Sequence, residues 1–432
     1  MCCMEETKIV VLDDDPTGIQ TVHDIDVLLK FGQEELINMM KNPEPLVYLS
    51  TNSRSLIPEE TESLHRQILQ NLTNASHMTG RDFMVISRGD STLRGHYPLE
   101  SEVIKEELIK SGKRLKGEIL CPYLDGIRKT EQDVHYVLSN QTWIPCGKTE
   151  FAKDATFSYH SSDIKEYVKE KYQREIPCVS IGVELLDGHH DKQILDALNQ
   201  SRVDSKVIVN ALCMDHLYAF VKAIKPVMSL YQVRSAASFV KAIADVQDIP
   251  YLNMKDLCDD SSYGGLILAG SHVQKTTDQI ECLLHAQLAE CLELDVSTDL
   301  EQQLILCAEK ADEMLKQGRN VLVMTGRKRI DFEKDAFGQL MASRKISEQF
   351  VSILPRLTVR PSFLISKGGI TSFDVLDKGL NVSSARVLGQ VSKNIPAVKL
   401  GKETLYPGLN VIIFPGNVGE TDTLKQLVEN TK

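Results

Sequence analysis

Two α/β domains, each a mainly parallel sheet flanked by helices, are the architecture this sequence predicts. Three observations carry it. Apolar runs of strand length alternate with segments of helical period along the whole chain, which is the pattern of strands joined by crossover helices. The length of 432 residues corresponds to about two or three ordinary domains. The best boundary in this alternation is at Asp248-Ile249-Pro250 and the polar run Asp256 to Ser262, before a new strand starts at Gly264-Gly265. The expected domains are therefore residues 1–250 and 260–432.

Each strand follows from a short apolar, β-branched run bounded by polar or turn residues. These runs are Lys8–Leu12, Leu46–Ser50, Phe83–Ile86, Glu118–Cys121, Val207–Asn210, Gly265–Ala269, Asn320–Met324, Ser362–Ile365 and Asn410–Phe414. Helices are expected where apolar residues recur every three to four positions. Glu59–Leu72 places Leu64, Ile68 and Leu72 on one face; Tyr97–Lys110, Val273–Cys291, Leu300–Lys316, Phe332–Ile353 and Glu420–Asn430 behave alike. A long helical stretch from His216 to Asp245 is expected to close the first domain. Thr130 to His160 is less periodic and predicts an insertion or flap near the first domain's site.

Composition excludes several classes. With 42% hydrophobic and 25% charged residues, the chain as a whole is not disordered. A net charge of −11 argues against nucleic-acid binding through a broad basic face. No apolar run reaches the ~18 residues of a membrane span. Met1-Cys2-Cys3-Met4-Glu5-Glu6 has no basic region or apolar stretch of a secretory signal. The ten cysteines include no Cys-x-x-Cys and no zinc spacing, as expected for reduced thiols in a cytoplasmic protein.

In open parallel sheets, ligands bind beyond the carboxyl ends of the strands. Asp13-Asp14-Asp15-Pro16-Thr17-Gly18 follows the first strand. Adjacent carboxylates repel, and a site that uses Mg²⁺ or binds a polyol would justify them; a solvated acidic turn is the plainer reading. Ser50-Thr51-Asn52-Ser53-Arg54 and Ser87-Arg88-Gly89-Asp90-Ser91-Thr92-Leu93-Arg94-Gly95-His96 follow the next two strands. Arg makes bidentate contacts to carboxylate or phosphate. Helix caps and surface ion pairs would explain each string alone. Together they describe a pocket for a small, anionic, hydroxylated molecule. His23, His96 and His272 read as structural first, and Trp143 with Tyr136 and Phe151 as flap packing.

The second half carries glycine turns between strand and helix: Gly270-Ser271-His272, Ser366-Lys367-Gly368-Gly369-Ile370-Thr371 and Pro415-Gly416-Asn417-Val418-Gly419. Such turns let backbone N–H groups approach phosphate oxygens. One alone would only suit a tight turn, but three in one domain point to a nucleotide. Neither Gly-x-x-x-x-Gly-Lys-Ser/Thr nor Gly-x-Gly-x-x-Gly occurs, so no P-loop is expected and the dinucleotide reading weakens.

These strings resemble the four-carbon acid sugar kinases, which phosphorylate tetronates and 3-oxo-tetronates with ATP. The family's Asp-Asp-x-Thr-Gly resembles Asp14 to Gly18, its Thr-x-Ser-Arg resembles Thr51 to Arg54, and its Asp-Ser-Thr-Leu-Arg-Gly is present as Asp90 to Gly95. The Gly-Ser, Gly-Gly-x-Thr and Pro-Gly-Asn-x-Gly turns resemble Gly270-Ser271, Gly368 to Thr371 and Pro415 to Gly419. The resemblance spans essentially the whole chain. Three departures bear on the substrate: Asp13 and Pro16 flank the acidic pair, Arg88-Gly89 replaces the usual basic residue before Asp-Ser-Thr, and His272 stands where many members have a small residue or Cys.

The resemblance implies an N-terminal acid-sugar domain and a C-terminal ATP domain, with the active site in the cleft between them. The expected function is ATP-dependent phosphorylation of a hydroxyl on a small sugar acid, be it a tetronate, a 3-oxo-tetronate or a branched 3-oxo acid sugar, with Mg²⁺ assisting and its ligands open. Asp14, Asp15 and Asp90 are the catalytic candidates. Asp14 is favoured as the substrate-facing base, with Asp15 left to positioning or to the metal. Thr17, Arg54, Ser91 and Arg94 are the expected substrate contacts. Ser271, Gly368, Gly369, Thr371, Gly416 and Gly419 are the expected nucleotide contacts. The partners expected are sugar acid and ATP, with no nucleic acid and no membrane; a homo-oligomer is left open. Two other classes compete. Asp13-x-Asp15-x-Thr17-Gly18 fits the nucleophile motif of a haloacid-dehalogenase-type phosphatase, with Asp13 attacking phosphorus and Thr325 as its second motif, though its late acidic pair is missing. A sugar-acid binding protein without catalysis would leave the glycine-rich domain unexplained.

Overall fold

The structure, a computed structural model, describes residues 7–139, 141–326 and 336–431. The chain forms two compact units. One comprises the residues through Asp14 together with Lys30–Gln247; the other comprises Asp15–Leu29 and the residues from Asp248 onward. Residues 15–29, which lie within the first domain by sequence order, thus pack with the second unit.

In the first unit the strands lie in the order Leu46–Ser50, Lys8–Asp13, Phe83–Arg88, Tyr231–Ser235, Gly117–Cys121, Ser205–Val209, Cys178–Ile181, every pairing parallel. Lys8–Asp13 is buried along its whole length, as expected of a strand covered on both faces. The register aligns Asp13 with Ser50 and with Arg88, and Ser235 with Arg88 and with Cys121. Polar carboxyl ends therefore stand side by side. The helix Pro58–Thr79 starts with Pro in its first turn and Glu60 bonding back to the Ile57 N–H, and it stops at Gly80 with φ +70°. It buries Ile68, Leu69 and Leu72.

The weakly periodic segment is an antiparallel sheet of Arg128–Glu131, Val134–Ser139 and Thr142–Pro145, followed by short helical turns. Val137, Cys146, Tyr159, Ile164 and Tyr167 bury themselves with Tyr97, Leu120 and Ile208 of the main body.

In the second unit Glu290–Leu294, Val321–Thr325, Leu266–Ala269, Leu364–Lys367 and Asn410–Phe414 pair in parallel, in that order. The sheet then turns antiparallel through Ile395–Leu400, Ser384–Ser392 and Ile25–Leu28. Ile25–Leu28 is the reason residues 15–29 belong here: it pairs with Ser384–Val387, and Arg386 donates to Asp26 at 3.0 Å.

Two expected helices are corrected. His216–Asp245 is a helix Met214–Ile224, a strand Tyr231–Ser235 and a helix Ala237–Ile243; Lys225-Pro226 stops the first helix, and Tyr231 and Val233 supply the strand pattern. Val273–Cys291 ends as a helix at His285, and Glu290–Leu294 is a strand. The helix expected from Phe332 is seen as Ala336–Val351, and residues 332–335 lie outside the described residues. Among the described residues no helix is long and apolar enough to cross a membrane.

Candidate active site

The carboxyl ends of the first unit's strands gather arginines and carboxylates. Arg54 grips Asp14 with a fork, Nε to Oδ2 at 3.1 Å and Nη2 to Oδ1 at 2.9 Å. Arg88 Nη1 donates to Asp13 at 3.0 Å and lies 3.5 Å from Asp14 Oδ1. Asp90 accepts from Arg94 Nε at 2.7 Å and from the Thr92 hydroxyl, and Arg54 Nη1 lies 4.0 Å from it. Arg234 pairs with Glu100 and donates to Ser87. The structure thus brings Asp14, Arg54, Asp90 and Arg94 together.

The two acids titrate in opposite directions. Burial lifts the Asp14 carboxyl above its ordinary value, outweighing Arg54, Arg88 and Arg234. Burial would also raise Asp90, but Arg94, Arg54 and the Thr92 hydroxyl outweigh it and hold it well below the carboxylate range. A base that accepts a proton needs the higher affinity for one, which favours Asp14. At Gly95 (φ +121°) a Cβ atom would stand 3.2 Å from Asp14 Oδ2 and from Arg234 Nη2, so glycine leaves the approach to that oxygen open.

The loop from Asp90 to Leu93 is pinned by the insertion. Tyr159 and Tyr167 hydroxyls donate to the Thr92 and Leu93 carbonyls at 2.7 and 2.9 Å. His135 contacts the Ser91 carbonyl at 2.7 Å through Nε2 and the Thr130 hydroxyl at 2.9 Å through Nδ1. Burial drives its pKa down to about 4. A neutral ring that donates to Ser91 must accept from Thr130, so the tautomer is set by the hydrogen bonds. His96 contacts the Leu56 carbonyl at 2.9 Å and packs edge-on to Phe157. Trp143 and Tyr136 both lie within reach of Lys129. Phe151 does more than pack, because it lies under the Arg94 guanidinium.

In the second unit the three glycine turns converge. A Cβ at Gly270 would meet Thr371 Oγ1 at 2.4 Å, and one at Gly416 would meet Ser271 Oγ at 2.7 Å. Gly368 takes φ +117° at the start of the helix Gly369–Asp374. Thr276 bonds the Gly416 carbonyl at 3.1 Å, Lys275 the Gly419 carbonyl at 3.1 Å, and Gln279 the Val418 and Glu420 carbonyls. Lys367 is fully buried, with Nζ on the Pro415 carbonyl at 2.7 Å and over the Phe414 ring. Asp15 joins this group: its Oδ1 accepts from Thr17 N at 2.8 Å, and a Cβ at Gly369 would lie 2.4 Å from its Oδ2. Asp15, expected beside Asp14, therefore packs against the second unit's Gly369 turn, and Thr17, in the same unit, bonds to it. A glycine-lined cradle that side chains would fill suits nucleotide phosphates. Among the described residues no group of three or more His, Cys, Asp or Glu could hold a metal ion. Mg²⁺ carried on phosphates needs only one or two carboxylates, and Asp15 lies beside the cradle.

Residues 9–243 match a sugar-binding N-terminal domain and residues 266–424 a nucleotide-binding C-terminal domain, the pair that defines one family. The chain belongs to the four-carbon acid sugar kinase family. Solved structures share its fold. A Haemophilus influenzae protein of this family (DUF1537) is 14% identical with a TM-score of 0.63, covering 97% of this chain and 99% of its own. A Salmonella typhimurium LT2 protein provisionally named a tRNA synthase is 15% identical with a TM-score of 0.69, covering 99% and 98%. No curated protein matches the chain.

Several residues of this acid sugar kinase family member escaped the sequence reading. Arg234 was hidden in the supposed helix, although the Pro226 break and the alternating Tyr231 and Val233 signalled its strand. Glu100, Arg128 and His135 come from a helix and the insertion, where the strand-end rule is silent. Lys367 ends a strand and was within reach of that rule.

Proposed function

We propose that this protein transfers a phosphoryl group from ATP to a hydroxyl of a small sugar acid, a tetronate, 3-oxo-tetronate or branched 3-oxo acid sugar. The observation that carries the reading is the electrostatic split at the first unit's strand ends, a proton-avid Asp14 beside an Asp90 held ionised, in a chain that also carries a nucleotide-binding domain. When bound, ATP with Mg²⁺ supplies the electrophilic phosphoryl group and neutralises charge developing on it. Asp14 accepts the proton of the attacking hydroxyl as its bond to phosphorus forms, and Arg54 holds the carboxylate in place. Asp90 stays ionised and fixes Arg94. Ser91 and Arg94 flank the sugar acid. Ser271, Gly368, Gly369, Thr371, Gly416 and Gly419 would hold the nucleotide phosphates, and Asp15 would help hold the Mg²⁺ carried on them.

The phosphatase reading is disfavoured by Asp13 itself. It is wholly buried and bound to Arg88, and a phosphatase would leave the nucleotide-binding domain without a role. The test is ADP release over a panel of four-carbon and branched five-carbon sugar acids, with thermal shift alongside. A kinase is stabilised by ATP-Mg²⁺ and releases ADP with at least one acid. Stabilisation by vanadate but not by ATP, with phosphate released from phosphorylated acids, would overturn the assignment.

A further inference from the structure

Four arginines of the first unit each have a carboxylate partner: Arg54 with Asp14, Arg88 with Asp13, Arg94 with Asp90 and Asp154, Arg234 with Glu100. Arg128 does not. It opens the first strand of the insertion and is 7% exposed. Its Nη1 donates to the adjacent Ile127 carbonyl at 2.7 Å, and its Nε is buried without a hydrogen-bond partner. Among the described residues no carboxylate lies in salt-bridge range of it. Its guanidinium lies 5.6 Å from the centre of the Phe151 ring, and that of Arg94 lies 5.1 Å from the same ring. Burial and the Arg94 charge both weigh against its charged form, and Asp90 favours it.

A buried guanidinium with open donors, beside a second cation, is held at a cost that an anion would offset. Its fork of N–H donors suits the two-pronged geometry of a carboxylate. We propose that Arg128 binds the carboxylate of the sugar acid, with Arg94 beside it on the Phe151 ring. This rests on the sugar-acid kinase reading and names the residue that makes the acid, rather than the neutral polyol, the preferred ligand. Arg54 and Arg94 were the sequence's candidates for that role, one or both; the Arg54 fork is taken by Asp14, and Arg128 joins Arg94.

The experiment is calorimetric binding of erythronate, threonate and branched five-carbon sugar acids, with erythritol as the neutral control, to the full chain and to Arg128→Met and Arg128→Lys. Wild type should prefer the best acid over erythritol. Arg128→Met should lose about 10- to 100-fold in acid affinity and so lose that preference, while Arg128→Lys keeps part of it and ATP affinity is unchanged. Because Met removes an unpartnered buried charge, the unliganded Tm of Arg128→Met should hold or rise, and its acid-induced shift should vanish. An Arg128→Met protein that keeps the preference overturns the proposal and leaves the kinase reading intact. A lower unliganded Tm with the acid shift retained makes Arg128 structural. A loss confined to ATP assigns it to phosphate. Wild type that binds ATP but none of the acids removes the sugar-acid reading itself.

Discussion

Neutralising Asp14 and Asp90 one at a time separates catalysis from scaffolding. In Asp14→Asn the side-chain oxygen still accepts one Arg54 N–H, and Arg88 keeps Asp13 at 3.0 Å. Burial already disfavours the Asp14 charge, so removing it should change stability by only about 1 kcal/mol. The variant has no group left to take the hydroxyl proton, and kcat should fall about 100-fold or more with near-normal ATP binding. In Asp90→Asn the balance reverses. Arg94 and Arg54 lose the carboxylate they hold ionised; removing one partner of such a pair costs about 3–5 kcal/mol when fully buried. Asp90 keeps a little exposure at 11%, so the lower end applies. At roughly 2–4 °C per kcal/mol for a body of this size, Tm should drop by about 6–12 °C. The signs in pH differ too. The depressed Asp90 contributes stability that is present above its unfolded value and lost as pH falls through its folded one. The raised Asp14 favours the folded state at low pH and loses that contribution as pH rises from its unfolded value through its folded one. Activity should therefore have an acid limb above the ordinary aspartate range of about 3.9. Differential scanning calorimetry and pH-dependent ADP release read both. An Asp14→Asn enzyme with wild-type kcat, beside a stable but inactive Asp90→Asn, would refute the assignment of roles.

Asp13→Asn strips Arg88 of its nearest carboxylate, so it should lower Tm by several degrees, and the wild type should show no aspartyl-phosphate by mass spectrometry on incubation with phosphorylated sugar acids; such an adduct on Asp13 would restore the phosphatase. Gly89→Ala drives a Cβ to 2.4–2.8 Å from the Arg234 guanidinium and should cost about 1–3 kcal/mol, a loss that Arg234→Ala should partly relieve in the double variant; strictly additive urea midpoints would contradict the clash. Gly369→Val should displace Asp15 and weaken ATP binding at least about 10-fold by calorimetry while sugar-acid binding is unchanged, and equal losses for both ligands would speak against a nucleotide role for that turn.

The strand-end rule made most of the site legible, because Asp14, Arg54, Asp90 and Arg94 sit directly after apolar runs that any βαβ reading finds. It could not reach residues brought in by packing. Arg234 lies on a strand of five residues between two helices, and a window long enough to see helical period averages that strand away. His135 and Arg128 arrive on an insertion whose short strands are held by tertiary contact with Tyr97, Leu120 and Ile208. Propensity carries little signal there. Ionisation was illegible for a related reason. Asp14 and Asp90 look alike as strand-end acids; what separates them is that Asp90 accepts hydrogen bonds from Thr92 and Arg94, while Asp14 has the Glu100 charge nearby as well as its arginines.

The departure at Gly89 follows from the same packing. Where the resemblance leads one to expect a basic residue before Asp-Ser-Thr, this chain has glycine, and a Cβ there would collide with the Arg234 guanidinium. The positive charge has not been lost from the strand ends. It enters from the neighbouring strand, whose Ser235 is in register with Arg88, and is anchored by Glu100 and Ser87. A Gly89 side chain and Arg234 are thus alternatives for one volume. The local sequence departs from the resemblance at Gly89, and in this chain a positive charge still stands at the strand ends on Arg234, with Gly89 giving it room.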